Sequence, residues 1–396
     1  MKILHTSDWH LGAKTDRRNR IGEQRKVMNE LASICDREGV DIVVIAGDIY
    51  DQAVPTSEAE DLFFDTIEKI SDNGDRVVIV CAGNHDDPKR IMANVHFAKK
   101  HNIVLAGDLH PVCEARRSSK AKVTCTPNGS CVVDIEKANG TERAVFGILP
   151  YPTEYRIEEK AENEEYSKKV GEWAKKVCTD FKKDTFNCLV SHFTAVGADF
   201  EEGGIFRKIS VNETGVVNIK DLPKADYYAL GHLHSRQSLV SNAHYCGAPI
   251  KLSYLQKTTS VNLLTVANGN LKSVEPIQLY TPVKMERVCA LGLENVSKEL
   301  EYFTTEDIVE LTIVQDKPLT SAEIKGLKDR YPCIQQIKLM MKNLSKDDDV
   351  YITDRDKLEP KELYKSFYKA SKGIAPSEKL VNLFVELMEE TESETN

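Results

Sequence analysis

Short apolar runs alternate with longer amphipathic stretches through the first hundred residues of the chain. Residues 2–6, 41–46, 76–82 and 103–105 read as strands. Between the first two, Val27, Leu31 and Ile34 recur at helical spacing over 21–37, with Gly39 placed as a stop. A second helix is expected over 55–70, opening on Pro-Thr-Ser and carrying Leu62, Phe63, Ile67 and Ile70. A third is expected over 88–100. Strand alternating with helix implies a layered βαβ sheet. From 123 to 149 the pattern shifts to short strands, 123–125, 131–135 and 144–148, around Pro-Asn-Gly and Asn-Gly turns. A polar helix follows over 158–181, with Trp173 and Val177 four apart; 185–191, 227–230, 238–240 and 261–266 read as further strands. A boundary is expected near 280–282. Beyond it, a strand (307–314), a helix (321–330) and a strand (334–340) form a small unit. A charged linker (346–349) and two amphipathic segments within 360–390 make a tail.

Composition narrows the class. At 396 residues with 41% apolar content the chain is globular and has room for two or three domains. No signal peptide is visible, and no apolar run is long enough to span a membrane. The 10 cysteines include no C-x-x-C pair; Cys125 and Cys131 flank a Pro-Asn-Gly turn and resemble a clip, but a reducing cytosol is the simpler reading. A net charge of −9 argues against a free-standing nucleic-acid binder. Lys14, Arg17, Arg18, Arg20, Arg25 and Lys26 form a local exception, placed to hold phosphates, although Asp16 and Glu23 among them fit a solvated face equally.

The chemistry sits where the apolar runs end. Asp8 and His10 close the first, Asp48 follows the second and Asn84 the third; later runs deliver His192 and the pair His232 and His234. In open α/β sheets ligand sites lie beyond the carboxyl ends of strands. Residues at i and i+2 on an extended segment share a side, so each spaced pair can turn two donors toward one ion. Any one of these motifs alone also occurs as a turn or a cap. Together, each behind an apolar run, they point to one site. Seven mixed carboxylate, amide and imidazole ligands exceed one tetrahedral zinc and suit two hard or borderline ions such as Mn²⁺, with Mg²⁺ an alternative. Two ions roughly 3.5–4 Å apart suit in-line attack on a phosphoester, and Asp48 is the natural bridge between them.

In this order, D-x-H, GD, GNHD, SHF and GHLH resemble the calcineurin-like metallophosphoesterases. HTSDWHLG (5–12), AGDIYD (46–51), ALGHLHSRQ (229–237) and YCGAPIKLSY (245–254) are similar to the nuclease subunits that work with an SbcC-type coiled-coil ATPase. The resemblance implies a four-layer α-β-β-α nuclease domain (1–280), a small α+β cap (281–345), and a linker with a helical partner-binding tail (346–396). It implies cytoplasmic action on DNA ends and hairpins, within a heterotetramer containing a homodimer of this chain. By family analogy His85 acts on the phosphate or the leaving oxygen; Asp86, beside it, is placed to orient it as a carboxylate orients an imidazole in other sites. Relatives outside the bacteria often place a histidine shortly after the GD motif, whereas Ile49, Tyr50, Asp51 and Gln52 stand here. The tail would grip the ATPase through Leu363, Phe367, Leu380, Phe384 and Leu387; its excess of acidic residues disfavours DNA as the partner. Two other readings share these motifs: a phosphoesterase for small or cyclic nucleotides, and a scaffold that has lost its chemistry. The cap and tail argue against the first, and the full ligand set against the second.

Overall fold

The computed structural model describes residues 1–341 except 17, 94–97, 99–100, 110–119, 127–128, 154–162, 203–204 and 211–212. Beyond 341 it describes residues 361, 364–365, 368, 376–378, 380–381 and 384. In chain order the principal elements begin with β1 (Lys2–Thr6), α1 (Ile21–Glu38), β2 (Ile42–Ala46), α2 (Ser57–Ser71), β3 (Val77–Cys81), α3 (Pro88–Ala93) and β4 (Ile103–Ala106). There follow β5 (Ala121–Cys125), β6 (Ser130–Lys137), β7 (Gly140–Leu149), α4 (Asn163–Val177) and β8 (Phe186–His192). Next come β9 (Asp199–Glu202), β10 (Ile205–Lys208), β11 (Tyr227–Gly231), β12 (Gln237–Val240), β13 (Ala243–Tyr245), β14 (Ser260–Ala267) and β15 (Asn270–Gln278). The last are β16 (Met285–Leu291), β17 (Ile308–Gln315), α5 (Ser321–Arg330) and β18 (Ile334–Met341).

Two sheets carry the body. The first runs β15-β14-β1-β2-β3-β4, and the second β12-β13-β11-β8-β7-β6-β5. In the first, β1 to β4 are parallel, and β14 and β15 are antiparallel additions. In the second, β7, β8, β11 and β13 are parallel neighbours. Strand pleating explains the layers. Ile42, Val44 and Ala46 of β2 face a core shared with Phe146, Val190 and Tyr227 of the second sheet. Val43 and Ile45 point the other way, onto Val27 and Leu31 of α1 and Leu62 and Ile67 of α2. The outer face of the second sheet offers Leu189 and Tyr228 to Val170 and Val177 of α4. The result is the expected four-layer α-β-β-α arrangement. Strands buried on both faces read as continuous apolar runs, which is why they stand out in the sequence.

Local signals hold where they have a mechanism. Gly39 caps α1 with φ 63, and Thr56 caps α2 by accepting from the Ala59 N–H at 3.3 Å. Five strands, β9, β10, β13, β15 and β16, went unread. β15 is a mostly polar edge strand containing Pro276, and it follows a two-residue Asn268-Gly269 turn with φ 54 and 71. That turn is itself a hairpin signal. The β9–β10 hairpin and β16 likewise lack an apolar run. Cys125 and Cys131 stand opposite each other across the β5–β6 pair, Sγ atoms 2.6 Å apart.

The chain divides into two compact units. One comprises Met1–Val288, Leu300–Leu311 and Lys325–Gln336; the other comprises Cys289–Glu299, Thr312–Ile324 and Ile337–Asn396. Strands β16, β17 and β18 form a small sheet in that order. In the tail, Tyr364 stacks on Phe384 with centroids 4.2 Å apart. Ser377 opens the second tail segment, accepting the Val381 N–H through its carbonyl at 3.1 Å. Leu363, Phe367 and Leu387 lie outside the described residues.

Candidate metal centre

Five strand ends converge. β1, β2 and β3 are parallel neighbours in one sheet, β8 and β11 in the other, and their carboxyl ends share one edge. The loops after β1 and β2 stay zipped beyond the strands. Asp8 N–H donates to the Gly47 carbonyl at 2.9 Å, and His10 N–H to the Asp48 carbonyl at 3.0 Å. Asp8, His10 and Asp48 are thereby held in left-handed backbone, with φ of 54, 43 and 51, and His232 sits at φ 100. Such conformations cost on the order of 1 kcal/mol or more each in non-glycine residues and cluster at functional sites. Close approach accounts for two glycines. A Cβ on Gly47 (φ 88) would lie 2.2 Å from His192 Nδ1, and one on Gly83 would lie 2.2 Å from Asp48 Oδ1.

The side chains form adjoining donor groups. Asp8, His10 and His234 make one and Asp48, His192 and His232 another, the ligand atoms within each lying within 4.8 Å of one another. Asp48 Oδ2 stands between them, 3.5 Å from His10 Nε2 and 3.2 Å from His192 Nε2. Asn84 Oδ1 joins the second, 3.0 Å from His192 Nε2 and 2.9 Å from His232 Nδ1. The seven residues singled out in the sequence thus come together in one place.

Hydrogen bonding shows what this place can hold. His192 Nδ1 lies 2.8 Å from the Ala46 carbonyl, which can only accept, so Nδ1 carries the proton. In the neutral ring Nε2 is then a lone pair facing two oxygens, one on Asp48 and one on Asn84. His10 repeats the arrangement. Its Nδ1 lies 3.3 Å from Asp51 Oδ1, and its buried Nε2 has no hydrogen-bond partner. Electron pairs aimed at one another around a gap fit a cation, and a carbonyl or carboxylate behind each imidazole is how ligating histidines are oriented. Asp8 is fixed the same way, its Oδ1 accepting the His232 N–H at 2.9 Å and its Oδ2 the Ser7 hydroxyl. This chain's residues therefore fit divalent ions.

Titration follows the same fields. Burial lowers the affinity of His192 for a proton, but the Asp48 carboxylate outweighs it and raises the pKa to about 9. His10 is also raised: burial opposes the shift, and Asp51, Asp48 and Asp8 overcome it. Asp48 is held well below the carboxylate range, because His192 and His10 outweigh its burial. His232 and His234 are pushed down to about 3 and about 4, chiefly by burial.

His85 and Asp86 part company. His85 is exposed at the mouth of the site, its ring 4.8 Å from that of His10. The Asp51 carbonyl lies 2.8 Å from its Nδ1. Asp86, expected to orient this ring, instead accepts backbone N–H groups from Ile49 at 3.1 Å, Tyr50 at 3.0 Å and Gly83 at 2.8 Å. It is a buried clasp between the loops that carry Asp48 and Asn84. The orienting part falls to Asp51, which the sequence offered only as one letter of AGDIYD. Ser7 and Tyr151 were also missed; the Tyr151 ring lies 5.8 Å from that of His232.

The basic cluster after β1 needs correction. Arg20 is buried, forks onto both Glu23 oxygens at 2.9 and 3.0 Å, and reaches the Lys251 carbonyl at 2.5 Å. Arg18 is committed to the Thr305 and Asp307 carbonyls and to Glu306. Neither is available to DNA as placed. Lys14 is exposed, and Arg17 lies outside the described residues. In the tail, Leu380 and Phe384 are half-buried.

Residues 1–236 match the model of the calcineurin-like phosphoesterase family. The chain is similar to the SbcD component of the SbcCD nuclease of Bacillus subtilis, 29% identical over 416 aligned positions that cover 100% of this chain and 99% of that protein. The Escherichia coli K12 protein of the same name is 30% identical over 76% of this chain and 74% of its own length. That of Staphylococcus epidermidis is 22% identical over 72% and 70%.

Proposed function

The chain belongs to the calcineurin-like phosphoesterase family, and from that premise we propose that it is a metal-dependent DNA nuclease, the SbcD-type partner of an SbcC-type ATPase. The observation that carries this reading is Asp48, whose Oδ2 faces donors of both groups. Asp8, His10 and His234 would hold one divalent ion, His192, His232 and Asn84 the other, and Asp48 both. Two carboxylates, an amide oxygen and four imidazoles suit Mn²⁺. When bound, such ions supply Lewis acidity to a phosphodiester and to the water that attacks it. The residues do the rest. The Asp51 carbonyl holds the His85 Nδ1 proton, so that Nε2 faces the substrate and, in the doubly protonated ring, donates its proton to the leaving oxygen; positioned acids contribute roughly 10²–10⁴-fold. Ala46 and Asp51 keep the lone pairs of His192 and His10 turned inward.

We assign residues 1–280 to the nuclease domain, 281–345 to a cap and 346–396 to the partner-binding tail. Among the described residues, no helix is long and apolar enough to cross a membrane. The setting is cytoplasmic, and the assembly is a heterotetramer built on a homodimer of this chain. Leu380 and Phe384, together with Leu363, Phe367 and Leu387, would face the ATPase.

The purified chain, loaded with Mn²⁺, is offered duplex ends, hairpins and a simple phosphodiester in parallel, with and without the ATPase. Chelator-sensitive cleavage of DNA is expected. Hydrolysis of the simple ester or of cyclic nucleotides with DNA left intact would make it a small-molecule phosphoesterase. No turnover of any substrate would leave a scaffold.

A further inference from the structure

Beside the metal centre lies a feature that the hydrolytic chemistry does not use. Strands β9 and β10 pair as a hairpin, with Glu201 opposite Phe206 and Phe200 opposite Arg207. The hairpin is anchored. Gln237 accepts from the Asp199 N–H at 2.7 Å and donates to the Asp199 carbonyl at 2.9 Å. Ser253 donates to Glu201 at 2.6 Å, and Phe200 packs against the core beneath the second sheet. Phe206, on the same hairpin, is 40% exposed. An open cavity of about 340 Å³ lies against it, lined by Phe206, Asp199, Glu201, Ser253 and, from the metal centre, His232 and His234.

The lining selects the occupant. An aromatic face held on an anchored hairpin suits a flat ring. Asp199 is already paired with Lys208 at 2.8 Å, and Glu201 leaves acceptor capacity beside Phe206. Acidic walls repel a phosphate but accept N–H groups from a neutral ring. The phosphate must therefore sit at the histidine end and the ring at the Phe206 end. We propose that this cavity is a nucleobase subsite that holds the base next to the scissile phosphate, with Phe206 as its stacking surface. This rests on the nuclease reading above and adds to it a device for gripping a base lifted from its neighbours. Base–aromatic stacking tolerates every sequence, because each base has a π-face. It also supplies affinity without the cationic groove that Arg18 and Arg20 do not provide.

The test compares two chromogenic diesters on the full Mn²⁺-loaded chain: thymidine 5′-(4-nitrophenyl phosphate) and methyl 4-nitrophenyl phosphate. The ratio of their kcat/KM values should fall by about tenfold in Phe206→Ala and be largely restored in Phe206→Tyr. Equal losses on both esters would overturn the subsite and leave Phe206 a structural residue. A binding arm, run in chelator, uses the tryptophan emission added by Phe206→Trp. Quenching by a short oligothymidylate, but not by inorganic phosphate, is expected; no quenching overturns the proposal. If the unaltered chain cleaves DNA but neither ester, the binding arm alone decides the subsite; if it cleaves neither DNA nor the esters, the nuclease reading fails by itself.

Discussion

Replacing Asp86 by asparagine separates two accounts of the same carboxylate. Its Oδ2 accepts from Ile49 at 3.1 Å and Gly83 at 2.8 Å, and its Oδ1 from Tyr50 at 3.0 Å. An amide retains one acceptor oxygen and turns an NH₂ group toward at least one of these N–H donors. One buried hydrogen bond to a charged group is lost, worth about 1.5–3 kcal/mol, and a donor is left facing a donor. A gain opposes this. Burial raises the Asp86 pKa, and Asp48 raises it further, so that neutralising residue 86 relieves a repulsion. The relief is second to the lost bonds, since three N–H groups already compensate the charge. A net destabilisation of about 1–3 kcal/mol is expected.

The functional consequence tells the accounts apart. Ile49 and Tyr50 follow Asp48, and Gly83 precedes Asn84, so loosening the clasp moves two ion ligands. Urea unfolding without metal should show the lower midpoint, and calorimetric Mn²⁺ titration should show affinity reduced by about tenfold or more. Activity should recover in part at saturating metal. Unchanged stability and ion affinity with a depressed kcat would refute the clasp and restore Asp86 as the group that orients His85.

Four further outcomes are expected. Asp48→Ala should abolish hydrolysis and weaken binding of both ions; full activity in excess chelator, or one tightly bound zinc as the sole metal, would falsify the two-ion site. His85→Ala should keep both ions and lose roughly 10²-fold or more in rate, with metal loss in an analytical metal assay moving His85 into the ligand shell. Raised proton affinity at His192, with its pKa at about 9, means that ion binding at pH 7 must expel a proton. Mn²⁺ affinity should therefore climb with pH towards about 9, while calorimetry in buffers of different ionisation heat registers proton release; zero release would contradict the assignment. In the ion-free fold the His192 contribution to stability is complete below its unfolded value and is lost as pH rises through about 9, whereas those of His232 and His234, lowered to about 3 and about 4, are lost as pH falls through those values. Phe384→Glu should weaken ATPase binding by more than tenfold, about 1.4 kcal/mol, in a co-purification or calorimetric assay. Since Phe384 stacks on Tyr364, undiminished binding would make that pair internal packing only.

How much of this the sequence disclosed depends on the kind of interaction. β2 and β3 are buried on both faces, so their apolar runs are continuous, and the residues at their carboxyl ends stand out as polar letters after an apolar word. Asp48, Asn84 and His192 are legible for that reason. β15 obeys no such rule: it is an edge strand, and only its Asn-Gly turn betrays it. Asp86 and Asp51 were harder still. Both adjoin motif residues, but only the folded loops reveal which carboxylate takes backbone N–H groups and which faces His10. Charge misled most. Arg18 and Arg20 lie in a basic run beside the first motif, yet their partners are Glu23 and the 305–307 loop, the latter about 290 positions away.

The strained residues join these levels. Asp8, His10, Asp48 and His232 each adopt a backbone that a non-glycine residue avoids, and each supplies a candidate ligand. A relaxed loop would let the chain leave the sheet and carry the side chain away from the edge. The positive φ turns it back, and the bonds from Asp8 to Gly47 and from His10 to Asp48 hold the turn closed. That cost is borne by the apolar core between the sheets, where Ile42, Val44, Phe146 and Val190 are buried from water. Without bound cations the same closure presses carboxylate and imidazole lone pairs together, and protons on His10 and His192 relieve it. Ion binding replaces those protons with a charge the cavity is already shaped to hold. The fold is thus organised around a repulsion that only a cation fully resolves, and this links the sheet topology to the chemistry more directly than any single motif does.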